Sequence, residues 1–364
     1  MHAKIIKNIL YKFSEYSGKK GEFMKISLTK EDFNSGLKKL QKEYRIFAPK
    51  LLPFKGTFSD TPVIRYEEIG SFEEICFDQK SDFSPKEVLL PITQRMFYFT
   101  ENEYKEPDVD NRKILLFLRS CDLHSVKRVD EIYLRNKFSD KYYEIMRNKV
   151  KFAVMGCAAS FENCFCVDMG TNKTDEYDIG VKTDGEKIFL DIRTDEFLTE
   201  FSGEKEEFVM DFVEENKIHV SIPENINLED VAGLDLWREY DSRCIACGKC
   251  NFVCPTCTCT TTQDIFYKEN NSNGERRKVW ASCHVDGFTD MAGGHSFRQK
   301  HGDRMRFKVM HKISDFKKRF GYQMCTGCGR CDDGCPEYIS FSNCINKLNK
   351  VLEEKSAGLE GTDE

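Results

Sequence analysis

Apolar runs in the first two thirds of the chain predict the strands of a buried sheet. Val63–Glu67 alternates apolar and polar residues, as a half-buried strand does. Lys113–Leu118 and Val150–Met155 are continuous apolar runs, which are typical of strands covered on both faces. Val88–Ile92 has the same character and is also predicted to be a buried strand. The turn Asp184-Gly185 between two short apolar segments predicts a β-hairpin.

Helical spacing in the same region places helices beside those strands. His124–Leu134 and Tyr142–Arg147 lie between the two continuous runs, and Phe208–Val213 is a short amphipathic segment. Thr29 is the predicted N-cap of an earlier helix, because Asp32 would then occupy its first turn. The order strand, helix, helix, strand indicates a small mixed α/β unit.

The C-terminal third has the pattern of helices around cysteine-rich turns. Apolar residues recur at helical spacing over Phe307–Phe320, and Phe341–Leu352 is a second helical segment. Pro223 to Gly233 is a predicted linker between the two regions. We therefore expect an extension over residues 1–24, an α/β domain over 25–235, a mainly helical domain over 236–352 and a disordered tail over 353–364. The predicted fold class is α+β.

Composition and charge exclude several classes of protein. The net charge of −6 argues against nucleic acid as the main partner. No apolar run approaches the roughly 20 residues that a membrane-spanning helix needs, and the first 25 residues lack the apolar core of a secretory signal. Most of the 17 cysteines fall in tight runs, unlike the even distribution of a disulfide scaffold. A cytoplasmic, anaerobic setting fits these thiols, because exposed thiolates are readily oxidised.

Two cysteine runs of the same form lie in the last third. They are Cys244-x2-Cys247-x2-Cys250-x3-Cys254-Pro255 and Cys325-x2-Cys328-x2-Cys331-x3-Cys335-Pro336. This is the ligand pattern of proteins with two 4Fe–4S clusters, in which the fourth Cys of each run binds the other cluster. The expected ligand sets are Cys244, Cys247, Cys250 and Cys335 for one cluster, and Cys325, Cys328, Cys331 and Cys254 for the other. Zinc is the competing interpretation, but zinc modules usually show two separated C-x2-C pairs.

The 70 residues between Cys254 and Cys325 also carry information. A compact bacterial ferredoxin has a far shorter spacer between its two runs. The long spacer instead resembles the α-helical ferredoxin domains of reductase complexes. The helical domain is therefore expected to be a ferredoxin-like domain with two clusters.

A second set of cysteines belongs to the α/β domain. Cys157, Cys164 and Cys166 follow one predicted strand, and Cys121 follows another. Because strands can end at one edge of a sheet, these four thiols are expected to converge and to hold a third 4Fe–4S cluster. The alternative is that they are reduced, buried structural cysteines, as free Cys commonly is.

Other side chains near the runs leave more than one interpretation open. Cys257, Cys259 and Cys283 are expected to be structural or to position the sulfurs of a cluster, whereas Cys76 and Cys344 have the pattern of ordinary core cysteines. The histidines His284, His295, His301 and His311 lie among arginines. A catalytic site is conceivable there, although a solvated or interface surface beside a cluster is the favoured interpretation.

Several cofactor motifs are absent from the sequence. There is no G-x-G-x-x-G after a strand and no Walker A motif, so flavin and nicotinamide are not expected on this chain. Sulfite reductases that carry haem and a cluster pair C-x5-C with C-x3-C, whereas the nearest spacing here is Cys157-x6-Cys164. Sirohaem is therefore not expected either.

Three segments give the chain a family resemblance. Trp280–His295, His311–Gly321 and Cys325–Pro336 closely resemble the A subunits of anaerobic sulfite reductases. The wider group of β subunits of cytoplasmic sulfhydrogenases shares the two-cluster plan and the regions around Arg119-Ser-Cys-Asp122 and Cys164-Phe-Cys166. The resemblance spans roughly residues 25–350.

The resemblance implies an electron-transfer subunit with no catalytic residues and no substrate site of its own. In such a cytoplasmic complex a flavin subunit oxidises NADH, and a sirohaem subunit reduces sulfite to sulfide. Three alternatives stay open: the β subunit of a sulfhydrogenase-type complex, a stand-alone catalytic reductase, and a redox-sensing iron–sulfur protein. The family pattern also assigns the ligand role to the eight cysteines of the two runs, and the third-cluster role to Cys121, Cys157, Cys164 and Cys166.

Overall fold

A computed structural model describes residues 23–56, 60–224, 226–267 and 272–360. Of the extension predicted for residues 1–24, only the last two residues are among them. Residues 361–364 of the predicted tail also lie outside the described residues.

The described strands form two sheets. In chain order they are β1 (Met24–Leu28), β2 (Tyr44–Leu52), β3 (Val63–Glu68), β4 (Thr93–Phe99), β5 (Tyr104–Lys105), β6 (Lys113–Leu118), β7 (Val150–Met155), β8 (Ile179–Thr183), β9 (Ile188–Ile192), β10 (Glu204–Lys205), β11 (Thr260–Phe266) and β12 (Gly274–Trp280).

The described helices surround these sheets. They are α1 (Lys30–Leu40), α2 (Lys86–Leu89), α3 (Ser120–Tyr133), α4 (Lys141–Arg147), α5 (Asp195–Leu198), α6 (Leu228–Ala232), α7 (Glu239–Arg243), α8 (Lys249–Phe252), α9 (His301–Met310), α10 (Phe316–Phe320), α11 (Arg330–Asp333) and α12 (Phe341–Glu360). Single 3-10 turns occur at Phe72–Glu74 and Asp235–Arg238, and a π-helical turn at His311–Asp315 joins α9 to α10.

The larger sheet has the strand order β10-β1-β9-β8-β7-β6-β2-β3. Its centre is parallel, because β2, β6, β7 and β8 run in the same direction, while the flanking strands pair antiparallel. The side chains of β6 alternate between two apolar layers. Leu115 and Phe117 pack with α1 and β1, whereas Ile114, Leu116 and Leu118 pack with α3. Burial on both faces explains the continuous apolar run.

The smaller sheet, with the order β11-β12-β4-β5, joins the two parts of the chain. β4 belongs to the α/β region, and it pairs antiparallel with β12 from the spacer between the cysteine runs. The boundary predicted at residue 235 is therefore crossed by hydrogen bonds between strands. A third apolar cluster fills the C-terminal part and includes Trp237, Val309, Ile345 and Leu348.

The α+β fold class is confirmed, and several elements agree with the sequence pattern. Thr29 caps α1 by accepting a hydrogen bond from the Asp32 backbone N–H at 3.1 Å. The hairpin β8–β9 turns at Asp184-Gly185, as predicted. The spacer was predicted to be rich in helix, but it also contains the hairpin β11–β12. Part of each strand consists of β-branched and aromatic residues, which favour strands.

Four predicted segments differ from the structure. Val88–Ile92 is not a strand, because α2 occupies its first half; a short apolar run does not by itself distinguish a strand from a buried helix. Phe208–Val213 is not helical, because its backbone runs along the sheet, where Cys157 N–H donates to Asp211 O at 2.9 Å. The linker contains α6. The tail predicted from residue 353 begins inside α12, which ends at Glu360.

None of the helices in the described ranges combines the length and the apolar character that crossing a lipid bilayer requires.

Candidate iron–sulfur centres

The two cysteine runs fold into the same local turn. In the first run Ala246 and Gly248 have positive φ angles of 56° and 74°. In the second run Gly327 and Gly329 occupy the equivalent positions, with φ angles of 65° and 70°. Each turn is followed at once by a short helix, α8 or α11. The sequence repeat is thus a repeat of backbone conformation, which points the sulfurs of each run inward around one centre.

The first group of thiols, here called site A, contains the cysteines predicted to share one cluster. Cys244, Cys247, Cys250 and Cys335 all line one cavity. Burial raises the pKa of the Cys244 thiol, and the sulfurs of Cys250, Cys247 and Cys335 act on it in the same direction. Pro336, Ile339 and Phe341 supply apolar walls. The structure therefore brings the fourth cysteine of the second run to the first run.

The second group, site B, contains the other predicted set. Cys254 lies close enough to Cys325, Cys328 and Cys331 to influence the pKa of each of those thiols. Burial raises the pKa of Cys325 to about 11 and that of Cys328 to about 12. Such thiols keep their protons unless a metal replaces them. The structure thus brings Cys335 to the first run and Cys254 to the second, which is the arrangement that an exchange of fourth ligands requires.

Two buried lysines test whether these sites fit an anionic cluster. Lys308 and Lys312 are 4% and 2% exposed. Burial alone would lower the pKa of Lys308, yet the sulfurs of Cys250 and Cys331 raise it above its usual value. The sulfurs of Cys254 and Cys257 likewise raise the pKa of Lys312. Lys312 Nζ also donates a hydrogen bond to Thr256 Oγ1 at 2.6 Å. Burying an ammonium group is costly without a negative partner, so anionic clusters at both sites fit the charge of their surroundings.

The third group, site C, lies where two parallel strands end. β6 and β7 are neighbours, and Cys121 and Cys157 follow their carboxyl ends at the same edge of the sheet. The sulfurs of Cys164 and Cys157 influence the pKa of Cys166, which burial raises to about 12. Among the thiols, Cys166 has the largest electrostatic effect on the pKa of Cys121, which burial raises. The structure therefore brings together the four cysteines that were predicted to hold a third cluster.

Cations and an amide surround site C. Lys80 Nζ lies 3.8 Å from Cys164 Sγ, and Asn216 Nδ2 lies 3.8 Å from Cys166 Sγ. Arg119 packs beside Cys157 and donates to Gly156 O at 2.6 Å. Donors directed at sulfur are the surroundings that an iron–sulfur cluster needs, whereas inert core cysteines require none. The donor set therefore fits a cluster.

Site C is packed directly against the turn of site B. Phe165 N–H donates to Gly327 O at 2.8 Å, and Lys80 Nζ donates to Cys328 O at 3.2 Å. A Cβ atom on Gly329 would come within 2.2 Å of Asn163 O, so only glycine allows this approach. The backbone of one site thus forms part of the wall of the other.

A buried ion pair lies between the two sites. Arg330 donates to both carboxylate oxygens of Asp122, at 2.6 and 3.0 Å, and to Ser81 O at 2.9 Å. Arg330 separates Cys328 from Cys331 in the chain, and Asp122 follows Cys121. The ion pair therefore connects the backbone next to the site B cysteines with the backbone next to Cys121 of site C. Tyr66 Oη also donates to Asp122, at 3.2 Å.

Three of the remaining cysteines, Cys257, Cys259 and Cys283, lie around the buried amide of Asn251. Asn251 Nδ2 donates to Cys283 Sγ at 3.1 Å, and Cys257 Sγ lies 3.6 Å from Asn251 Oδ1. Cys259 and Cys283 are within hydrogen-bonding distance of each other, which lowers the pKa of Cys259. These contacts agree with the predicted structural or positioning role. In the part of the chain that the structure describes, no group of three or more His, Cys, Asp or Glu side chains is arranged to hold a single metal ion.

The histidines do not form a common site. His284 lines the cavity of site A, whereas His301 lies 3.7 Å from Asp286 and His311 stacks on Phe307. His295 packs against exposed Phe297. Sequence reasoning missed the two lysines beside sites A and B, because their segment carries several other charged residues and no pattern in it singles out Lys308 and Lys312.

Comparison with known proteins agrees with this geometry. Residues 243–339 match the family model described as a 4Fe-4S dicluster domain. Over 351 residues the chain is 31% identical to the sulfhydrogenase 2 subunit beta of Pyrococcus furiosus. This match covers 92% of this chain and 99% of that protein. No solved structure matches the chain.

The fold and the cysteine sites define an iron–sulfur protein of the electron-transfer class. Within that class, the chain belongs to the family of the sulfhydrogenase β subunit.

Proposed function

We propose that sites A, B and C each hold one 4Fe–4S cluster, with the twelve named cysteines as ligands. Three observations support this proposal: the exchange of Cys254 and Cys335 between the runs, the convergence of the site C thiols, and the cations beside each site. A bound 4Fe–4S cluster supplies reversible transfer of single electrons.

The protein side chains have separate tasks in this relay. The cysteines hold iron as thiolates, and the apolar walls at Ile339 and Phe341 shield one side of site A from water. Lys308 and Lys312 favour the more negative, reduced state, because a positive charge in a low-dielectric interior acts strongly. The contact between site C and site B gives electrons a short path through the interior. No residue is assigned a catalytic role.

We further propose that the chain serves a cytoplasmic, NADH-dependent anaerobic sulfite reductase. It would carry electrons from a flavin subunit to a sirohaem subunit that reduces sulfite to sulfide, and it would have no substrate site of its own. The resemblance of Trp280–His295 and His311–Gly321 to the A subunits of such enzymes supports this assignment.

The second candidate is the electron-transfer subunit of a sulfhydrogenase-type complex. The 31% identity to a sulfhydrogenase subunit over nearly the whole chain favours it. Anaerobic purification of the tagged native chain decides between the two: a sirohaem protein in the complex supports sulfite reduction, and a hydrogenase subunit supports the second candidate.

Iron content tests the number of clusters. We expect about twelve iron atoms per chain after anaerobic purification, four for each cluster. About eight would remove site C from the proposal. Cys166→Ser should lower the iron content by up to four atoms, whereas Cys76→Ser, a control outside the three sites, should leave it unchanged.

Cys328→Ser tests the relay itself. In the purified complex, NADH oxidation with an artificial acceptor should persist, because the flavin subunit is untouched. Sulfite reduction should fall sharply, because site B lies between the other two sites. Full sulfite reduction by this variant would refute the relay. Sulfite turnover by the isolated chain would support a stand-alone reductase, and partner binding controlled by cluster loss in oxygen would support a sensor.

A further inference from the structure

His284 occupies an unusual position in the wall of site A. Its side chain lines the same cavity as Cys247, Cys250 and Cys335, and the residue is 1% exposed. Within the described residues, neither Nδ1 nor Nε2 has a hydrogen-bond partner. Buried polar atoms are nearly always paired, so an imidazole with two unpaired nitrogens beside four cysteines indicates a missing partner.

The backbone of His284 is fixed, although its ring is unpaired. The backbone N–H donates to Ser282 Oγ at 3.1 Å, and the backbone oxygen accepts from Arg304 Nη1 at 3.2 Å. Arg304 is itself buried and donates to Arg298 O at 2.9 Å. These contacts attach the loop after β12 to α9, so the ring is held in the cavity wall.

The ring of His284 has an N–H donor in either protonation state. A neutral imidazole has one donor nitrogen and one acceptor nitrogen, and a protonated one has two donors. The group that this cavity would contain is rich in sulfur acceptors, from both the cysteines and the cluster.

We propose that the ring N–H of His284 donates a hydrogen bond to a sulfur of the cluster held at site A and thereby raises its reduction potential. This inference rests on the proposed function. A hydrogen bond to a cluster sulfur stabilises the reduced state more than the oxidised state, because the reduced state is more negative. His284 is a tuning residue in this role, and the four cysteines remain the ligands.

Two substitutions separate this role from simple packing. His284→Phe fills the space without a donor, whereas His284→Gln retains an N–H donor. The reduction potential of each variant is measured in the complete, anaerobically purified complex by redox titration monitored by electron paramagnetic resonance. His284→Phe should shift the reduction equilibrium of the site A cluster about tenfold toward the oxidised state, which is about 59 mV for one electron. His284→Gln should shift it clearly less.

A second measurement detects the proton directly. Electron–nuclear double resonance in H₂O and D₂O should show an exchangeable proton coupled to the site A cluster in the native protein and in His284→Gln. His284→Phe should lack it. His311→Gln is the matched control, because His311 is largely buried but stacks on Phe307 outside the cavity, and it should change neither measurement.

Equal potentials for the native protein and His284→Phe, with the exchangeable proton retained, would overturn the inference. Equal shifts in reduction potential for His284→Phe and His284→Gln would also overturn the inference, because the loss of packing alone would then explain both. Iron content is measured first on each sample. A native chain without iron at site A would contradict the proposed function, whereas loaded clusters with unshifted potentials would contradict only the role of His284.

Discussion

Sites A and B share one ligand spacing but lie in different surroundings. At site A, Cys247 is exposed, and Ile245 and Tyr338 beside the runs are 56% and 88% exposed. At site B, Cys328 is buried, and the turn around it is covered by the backbone at Phe165. The same motif therefore builds a peripheral centre and an interior one. In the proposed relay, site A is therefore the centre that a partner could reach, and site B connects it to site C.

The difference arises from what each run packs against. The first run is covered mainly by α9, α12 and the loop after β12, all from the C-terminal part. The second run contacts residues from the α/β region, including Lys80, Asp122 and Phe165. The two runs share one cysteine spacing, and the segments that cover each run decide how deeply it lies.

The largest expected effect concerns Arg330, inside the second run, compared with Arg243, which precedes the first run. Arg330→Met leaves Asp122 buried without its partner, so the free energy of unfolding should fall by about 3–5 kcal/mol. Arg243→Met, next to the first run, removes an exposed ion pair with Glu239 and should cost about 1 kcal/mol or less. Urea denaturation under anaerobic conditions measures both. Similar losses would contradict the contrast between the sites.

Equivalent glycines provide the next comparison. Alanine at Gly248 or Gly329 must adopt a left-handed conformation, at a cost of about 1–2 kcal/mol. At Gly329 the new Cβ also meets a backbone oxygen, that of Asn163, at 2.2 Å. At Gly248 the nearest atoms belong to the side chains of Val285 and Ser282, at 2.8 and 2.9 Å. Gly329→Ala should therefore lower the melting temperature more than Gly248→Ala, and the reverse order would refute the tighter packing at site B.

The rate at which each site releases iron should increase with the exposure of that site. With an iron chelator under anaerobic conditions, the first phase should release about four iron atoms, because Cys247 makes site A the accessible centre. The remaining iron should leave more slowly. Cys247→Ser should abolish or accelerate only the first phase, as followed by absorbance of the chelate. Release in a single phase would indicate that the sites are equally accessible.

The smallest expected effect distinguishes the two lysines. Lys312→Met should lower the reduction potential of the site B cluster, whereas Lys308→Met should lower those of both A and B. A shift of about 59 mV, a tenfold change, is the expected scale for a lost buried charge. The pKa of each lysine is raised, so both side chains stay charged at any pH below the usual pKa of lysine. The changes in reduction potential should therefore not vary between about pH 6 and 9. Exposed Lys317→Met is the control for redox titration.

The sequence predicted which cysteines come together better than it predicted the side chains around them. Spacing alone grouped Cys335 with Cys244, and the ends of two apolar strands placed Cys121 beside Cys157, because both patterns are local in sequence. Lys308 and Lys312 were missed, because nothing in a helical pattern shows that a lysine faces a buried anion. Phe208–Val213 was expected to be a helix, but its aromatic residues pack on the sheet, and this tertiary packing overrides helical spacing.

The pairing of β4 with β12 was beyond sequence reasoning for a related reason. The two strands are separated by almost half of the chain, and no local pattern selects one exposed strand as the partner of another. The register shift between Arg276 and Arg277 adds an irregularity that spacing does not reveal.

That pairing has a consequence for the synthesis of the protein. β4 leaves the ribosome long before β12, so an edge of the nascent chain waits for its partner while the first cysteine run is being made and the second is still missing. β12 in turn ends just before the loop that covers site A. Because Cys335 is made later still, the small sheet can be complete before the cavity of site A receives its fourth cysteine.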